Sequence, residues 1–266
     1  MKNKNNQGFL PASPYIIWSS LFIVIPLLIV IFFAFTTKSG DTYKFSLENF
    51  QRLLDTNYLK VFGRSILLAA EATLGCLILG YPVAYLISKM REGKRNVLIM
   101  LFIVPMWINF TLRIAALKEV LTFIEGNLAY HPFLNTIIGM TYDFLPFMIL
   151  PIYNALEKLD GSLLEASRDL GANEVETFTK VTLPLSVPGI ISGITMVFLP
   201  AMTNYVVLDM LYNSTYIMGS LIGSYFSAYN WHGGSMIALI LLAIICLFTL
   251  LTTEPGEENE RGGALL

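Results

Sequence analysis

The sequence predicts an all-α, polytopic membrane protein with six transmembrane helices, and three observations lead there. Hydrophobic residues make up 55% of the 266 residues and charged residues only 14%, where a soluble chain carries roughly 25% charged. The few charges avoid long stretches: residues 5–37, 181–208 and 210–253 contain no Asp, Glu, Lys or Arg. Those runs hold 33, 28 and 44 residues, and about 20 apolar residues suffice to cross a bilayer as a helix. A soluble enzyme is thereby excluded. The net charge of −2 supplies no basic footprint for nucleic acid. Cys76 and Cys246 both lie in apolar stretches and read as small core residues, not as a disulfide or metal pair.

Six segments have the length and apolarity of spans: Ile16–Phe35, Ser65–Ser88, Asn96–Leu117, Pro132–Tyr153, Val187–Val207 and Ser235–Thr252. The first follows Lys2 and Lys4 as a signal peptide would, but its apolar run exceeds an h-region of about 7–15 residues and no A-x-A site follows. It is expected to be a retained helix. Orientation follows from Lys and Arg in short loops. The tight loop Lys89–Arg95 carries Lys89, Arg91, Lys94 and Arg95 against Glu92 and is expected on the cytoplasmic side. Six spans then leave both termini inside, with residues 1–15 as a cytoplasmic start, 16–252 as the membrane domain and 253–266 as an acidic cytoplasmic tail. The loop Leu208–Gly234 has no Lys or Arg, as an outer loop should. The outer loop Thr36–Arg64 has five basic residues, and long segments translocate largely regardless of charge.

Five spans contain proline: Pro26, Pro82, Pro105, Pro146 with Pro151, and Pro188 with Pro200. Each removes a backbone donor and kinks its helix, which is tolerated in a membrane where neighbours or a water-filled cavity satisfy the freed groups. Gly189 and Gly193 form a G-x-x-x-G that lets two helices approach closely.

The segment Asn154–Ser186, between spans four and five, is the most informative. Ser162 followed by Glu165 reads as a capping box that starts a helix. Gly171 is a left-handed stop for it, and Leu163, Ser167 and Leu170 share one side. Asn173 with Glu176 repeats the capping pattern, so a second short helix is expected to run toward Leu183, before Pro184 and Pro188 open span five. A two-turn helix is too short to be stable alone. Its leucines ask for a partner, either a groove on another protein or the chain's own membrane domain.

The run Glu165-Ala166-Ser167, three residues, Gly171, nine residues, Val181, one residue, Leu183-Pro184 resembles the EAA motif of bacterial ABC importer permeases. Ser167 and Val181 replace the motif's third Ala and its Ile, both conservative in size. The resemblance implies a type I ABC importer permease (MetI-like) architecture whose cytoplasmic loop is a coupling helix seated in an ATPase subunit. Leu163, Leu164, Glu165, Ala166, Ser167, Asp169, Leu170, Gly171, Leu183 and Pro184 are then the coupling residues. The chain itself lacks G-x-x-x-x-G-K-[ST]. No cofactor is therefore expected on it, and ATP with Mg²⁺ would belong to the partner ATPase.

The resemblance narrows further. Asn49–Asp55 before span two, Gly80-Tyr81-Pro82-Val83-Ala84-Tyr85 at its end, Ile103–Asn109 in span three, Leu145–Tyr153 in span four and Leu156-Glu157-Lys158-Leu159-Asp160 look like the spermidine/putrescine permease family. The acidic, Gly-rich tail departs from that family, which usually ends with basic residues. The resemblance implies polyamine uptake across a bacterial inner membrane, with a second, similar permease and an extracytoplasmic binding protein as further partners. A polyamine path should offer carboxylates, amide or hydroxyl oxygens and aromatic faces. The candidates are Glu71, Trp107, Asn109, Tyr142, Asp143, Asn204, Tyr205 and Asp209. Glu71 or Asp143 could instead pair with Arg113 or Arg64, Asp209 could be simply solvated, and the aromatic residues could be packing groups.

Two other classes compete. An intramembrane enzyme would need more than His131 and His232, and neither H-E-x-x-H nor G-x-S-x-G is present. An ion-driven secondary transporter would usually show inverted repeats, and none is visible. Within the importer class, the alternative substrates are an oxyanion, iron or a thiamine-type compound.

Overall fold

The computed structural model describes residues 9–39, 42–51, 55–212 and 217–252. Lys2, Lys4, Arg52–Leu54 and the acidic tail lie outside them. Among the described residues, five helices are long and apolar enough to cross a membrane, and one bent pair makes a possible sixth. The chain forms two compact units.

The first unit holds residues 1–60 and 221–244. Helix α1 (Phe9–Ser19) runs through a π-turn at Ser20–Val24 into α2 (Ile25–Ala34). Tyr15, Ile17, Phe22 and Leu28 all project outward, and an apolar helix exposed all round is matched to lipid. The end of α2 is pinned by Asn49, whose Nδ2 donates to the carbonyls of Ala34 at 3.3 Å and Thr36 at 3.1 Å. A hairpin of β1 (Thr36–Ser39) and β2 (Thr42–Phe45) follows, then the single turn α3 (Glu48–Gln51). His232, at the start of the helix Trp231–Thr252, lies edge-on to Phe33, and its Nδ1 is 3.1 Å from the Phe33 carbonyl oxygen.

The second unit, residues 61–220 and 245–266, carries the functional features. Helix α4 (Thr56–Ser88) begins nine residues before the expected Ser65, so Lys60 and Arg64 ride on a helix and not in a loop. Helices α7 (Pro132–Glu157) and α10 (Leu183–Thr203) form the centre of the unit. Their close approach explains the G-x-x-x-G: a Cβ on Gly189 would meet the Pro151 carbonyl oxygen at 2.7 Å, and one on Gly193 the Met148 sulfur at 2.7 Å. Gly75 and Gly80 of α4 face Thr141, Met148 and Ile149 of α7 in the same way. Small residues thus let three helices share one dry core around Met140, Met148, Ile152 and Val197.

Two expectations need correction. Span three is not one helix over Asn96–Leu117. It divides into α5 (Glu92–Ile103) with a 3₁₀ turn at Val104–Trp107, and then α6 (Phe110–Glu125). The two parts are bent by 100°. Pro105 starts the tight turn, Ile108 is extended, and Asn109 restarts the helix by accepting from the Thr111 N–H at 2.9 Å. A good N-cap residue after an extended residue makes a new helix more favourable than a continued one. Span five also stops early, at Thr203, and Asn204 separates it from the short α11 (Tyr205–Leu211).

Candidate functional site: a broken-helix cavity and a candidate coupling helix

Both breaks open onto the same place. Met106, Trp107, Ile108, Asn109, Phe110 and Arg113 approach from the first break, and Pro200, Thr203, Asn204, Tyr205 and Val206 from the second. Asp143, Phe144 and Phe147 of α7 close the back of the cavity, whose volume is about 680 Å³. Five of the eight candidates for the substrate path, Trp107, Asn109, Asp143, Asn204 and Tyr205, therefore line one cavity. The other three do not. Tyr142, next to Asp143, turns the other way and is exposed. Asp209 lines a separate recess of about 480 Å³ with Lys118 and Tyr212. Glu71 stays on α4, half-buried, with Oε2 buried and lacking a hydrogen-bond partner.

Asp143 and Arg113 form an ion pair, with Arg113 Nη2 2.5 Å from Asp143 Oδ1. Both are buried, at 3% and 8% exposure. A lone charge at a helix centre costs about 2.5–3.5 kcal/mol on insertion scales, so the pair is how both charges persist in an apolar unit. Trp107 is 81% exposed and offers an aromatic face at the cavity mouth. From the sequence, Arg113 stands only as an alternative partner for the carboxylates, and neither Phe144 nor Phe147 stands out as a site residue. Phe147 stands four residues after Asp143 on the helix and so shares its side, which was the available signal; Phe144, one residue on, has no such signal in its spacing.

At the other end of α7 lies the segment expected to couple to an ATPase. Helix α8 (Gly161–Asp169) is capped by Asp160, which accepts from the Ser162 N–H at 2.9 Å. This corrects the expected Ser162–Glu165 capping box: Ser162 lies inside the helix, and Glu165 is exposed. The same N–H holds the exposed Asp160 carboxyl below the ordinary range. Gly171 ends the helix at φ +87°, a left-handed value that favours glycine. The second capping box is present: Asn173 Oδ1 accepts from the Glu176 N–H at 2.9 Å, and Glu176 Oε2 from the Asn173 N–H at 3.1 Å. From there α9 (Glu174–Thr177) winds through a π-turn at Phe178–Thr182 directly into α10.

The residues expected to couple divide by direction. Leu163 and Leu170 project outward at 47% and 89% exposure, with Glu165, Ala166 and Asp169 also exposed. Ser167 turns back instead, its Oγ 2.9 Å from Thr177 Oγ1, so a small residue is required there. Leu164 also turns back, into a small cavity of about 130 Å³ beside Leu156, Leu159 and Thr182. That cavity contains the ion pair of Arg95 with Glu157, at 2.9 Å, which ties the start of α5 to the end of α7. Leu183 and Pro184 open α10 behind the segment.

A broken-helix cavity in an apolar unit, with an exposed helix carrying Leu163 at its edge, is what a transport permease needs. Residues 76–253 match the family of binding-protein-dependent transport system inner membrane components. The chain is 38% identical over 249 residues to the spermidine/putrescine transport system permease protein PotB of Haemophilus influenzae, covering 86% of this chain and 87% of that one. It is 36% identical over 252 residues to the PotB of Escherichia coli K12, covering 88% and 92%. Among solved structures, a bacterial alginate ABC transporter bound to its periplasmic protein aligns with a TM-score of 0.71 at 15% identity, over 92% of this chain and 91% of that one. The MetNI methionine ABC transporter aligns at 0.58 and 17% identity, over 75% and 96%. These two establish the fold alone. The chain belongs to the binding-protein-dependent family of ABC transporter permeases, multi-pass components of the inner membrane.

Proposed function

We propose that this chain forms one half of the membrane path of an ATP-driven polyamine importer and couples that path to a separate ATPase through α8. The observation that carries the reading is the single cavity joining Asp143, Asn109, Asn204, Trp107 and Tyr205, in a chain 36–38% identical to spermidine/putrescine permeases. A carboxylate and amide oxygens accept from ammonium groups, and aromatic faces attract them. A PotA-like ATPase docks on Leu163, Leu170 and the acidic face of α8. A PotC-like permease completes the path, and a PotD-like binding protein delivers the substrate. ATP and Mg²⁺ are held by the ATPase.

The lining contains one carboxylate and one guanidinium, so this half is neutral. The carboxylates for a second ammonium then come from the second permease. Arg113 is the one observation that favours the anion alternative, and its pairing with Asp143 weighs against it. The Arg95–Glu157 pair sets the basic loop Lys89–Arg95 beside the coupling segment, which supports a cytoplasmic face there and both termini inside.

The test is ATPase activity of the complex reconstituted with its ATPase and second permease, challenged with spermidine, putrescine, sulfate, ferric iron and thiamine. Stimulation by a polyamine, lost in Asp143→Asn, is expected. Stimulation by an anion, or an Asp143→Asn complex indistinguishable from wild type, would overturn the reading.

A further inference from the structure

Among the described residues, Arg113 and Asp143 are the only formally charged ones lining the cavity between the two helix breaks. A buried ion pair kept for structure needs its remaining donors and lone pairs satisfied, because desolvating each ion costs several kcal/mol. This pair is short of partners. Arg113 Nε is buried with no hydrogen-bond partner, and the Asn204 amide oxygen in the same cavity is in the same condition. Among the described residues, Asp143 is the only polar side-chain partner of the guanidinium. Its helix, α6, starts directly after the 100° break, and Arg113 stands in the first turn. The side chain is therefore hung on the free end of a helix, not clamped in its middle. The open acceptors, the Asp143 carboxylate and the Asn204 oxygen, call for a ligand group that only donates, and an ammonium has three donors and no acceptor.

Resting on the polyamine reading, we propose that Arg113 is a resident counter-ion that occupies Asp143 in the empty cavity and is displaced when a substrate ammonium arrives. Paired with Arg113, the carboxylate presents no net charge, so sodium and potassium find no isolated anion to bind. A polyamine competes because it adds aromatic contacts with Trp107 and Tyr205 and a hydrogen bond to Asn204. Displacement also breaks the ionic contact between α6 and α7, so occupancy of the cavity and packing of α6 are linked and each biases the other.

The experiment is the half-saturating spermidine concentration for ATPase stimulation in the reconstituted complex, measured with and without added sodium at about 0.1 M, where the Debye length is about 10 Å. Arg113→Gln removes the competitor, so half-saturation is expected to fall about tenfold and to become sensitive to sodium. The double variant Arg113→Gln with Asp143→Asn stays neutral and is expected to lose that gain. Unchanged or higher half-saturation in Arg113→Gln overturns the displacement while leaving the polyamine reading intact. A gain kept in the double variant overturns it also, since Asp143 is then not the captured group. If Arg113→Gln does not assemble, Arg113→Lys decides, because a strongly hydrated point charge is a weaker partner than the guanidinium fork. A fall in half-saturation supports displacement, and no fall overturns it. A wild-type complex that spermidine does not stimulate defeats the polyamine reading itself.

Discussion

Truncating Leu170 to alanine tests whether α8 is a docking element. Leu170 is 89% exposed, so nearly all of its side chain is available for burial by a partner. Alanine keeps only the Cβ, and at about 0.8 kcal/mol per buried CH₂ the lost burial amounts to about 2 kcal/mol in a closed groove. That corresponds to an affinity about 30-fold weaker for the ATPase subunit. The permease itself should be unaffected, because the side chain contributes little to its own packing. Leu164 is the control, since it turns into the cavity shared with Leu156, Leu159 and Thr182. Leu164→Ala should lower the permease's own stability by about 1–2 kcal/mol, a half-buried fraction of the usual core cost. The assay is titration of purified ATPase subunit against the permease in nanodiscs, together with thermal unfolding of each variant. Equal affinity for wild type and Leu170→Ala would refute the docking argument. So would a Leu164→Ala variant that loses affinity while remaining as stable as wild type.

Gly189→Ala should destabilise the permease by about 1–3 kcal/mol, as overpacking does, because the new Cβ would press on the Pro151 carbonyl oxygen, which cannot rotate away. Gly93→Ala, on a helix with open space around it, should instead be neutral or stabilising by up to about 1 kcal/mol, and thermal unfolding of the pair reads the opposite signs. At Asp160, alanine should loosen α8 and asparagine should preserve it, seen as faster amide exchange at Ser162 in the first variant only. The Asp160 carboxyl is held below its ordinary range when the helix is formed. Its contribution is therefore present at and above neutral pH and is lost as pH falls through that lowered value, so the protection of the Ser162 amide relative to its intrinsic exchange rate should fall only in acid.

The spans were legible in the sequence because bilayer thickness imposes a length and an aversion to charge that any window can detect. Their interruptions were harder to read. Pro105 drew attention to a kink, yet the decisive residue is Asn109, whose capping role depends on Ile108 being extended. A polar residue inside an apolar run looks the same whether it caps a helix or faces a cavity, and Asn109 does both. The coupling segment shows the same limit at closer range. Asp160 and Ser162 are two residues apart and both are good caps, so composition favoured Ser162-x-x-Glu165 where the backbone starts at Asp160. For the cavity, the residue types of a cation path could be named in advance. That Asp143 meets Arg113 from a different helix, while Asp209 and Glu71 lie elsewhere, depends on how the helices are stacked. Linear spacing carries no record of that stacking.

The two helix interruptions have a consequence for hydration. Each makes a helix end, where terminal backbone groups lose their ladder partners and hydrocarbon would penalise them. The Ile108 and Asn204 N–H groups turn back to the Pro105 and Pro200 carbonyls, and both ends lie at the same cavity, at Ile108–Asn109 and Thr203–Asn204. The wall is therefore wettable along its backbone as well as at its side chains. An ammonium entering it exchanges one set of oxygen contacts for another and need not be stripped bare, as it would be in an apolar tunnel. Such a site favours ready release over tight retention, which suits a conduit and leaves the task of tight capture to a protein outside the membrane.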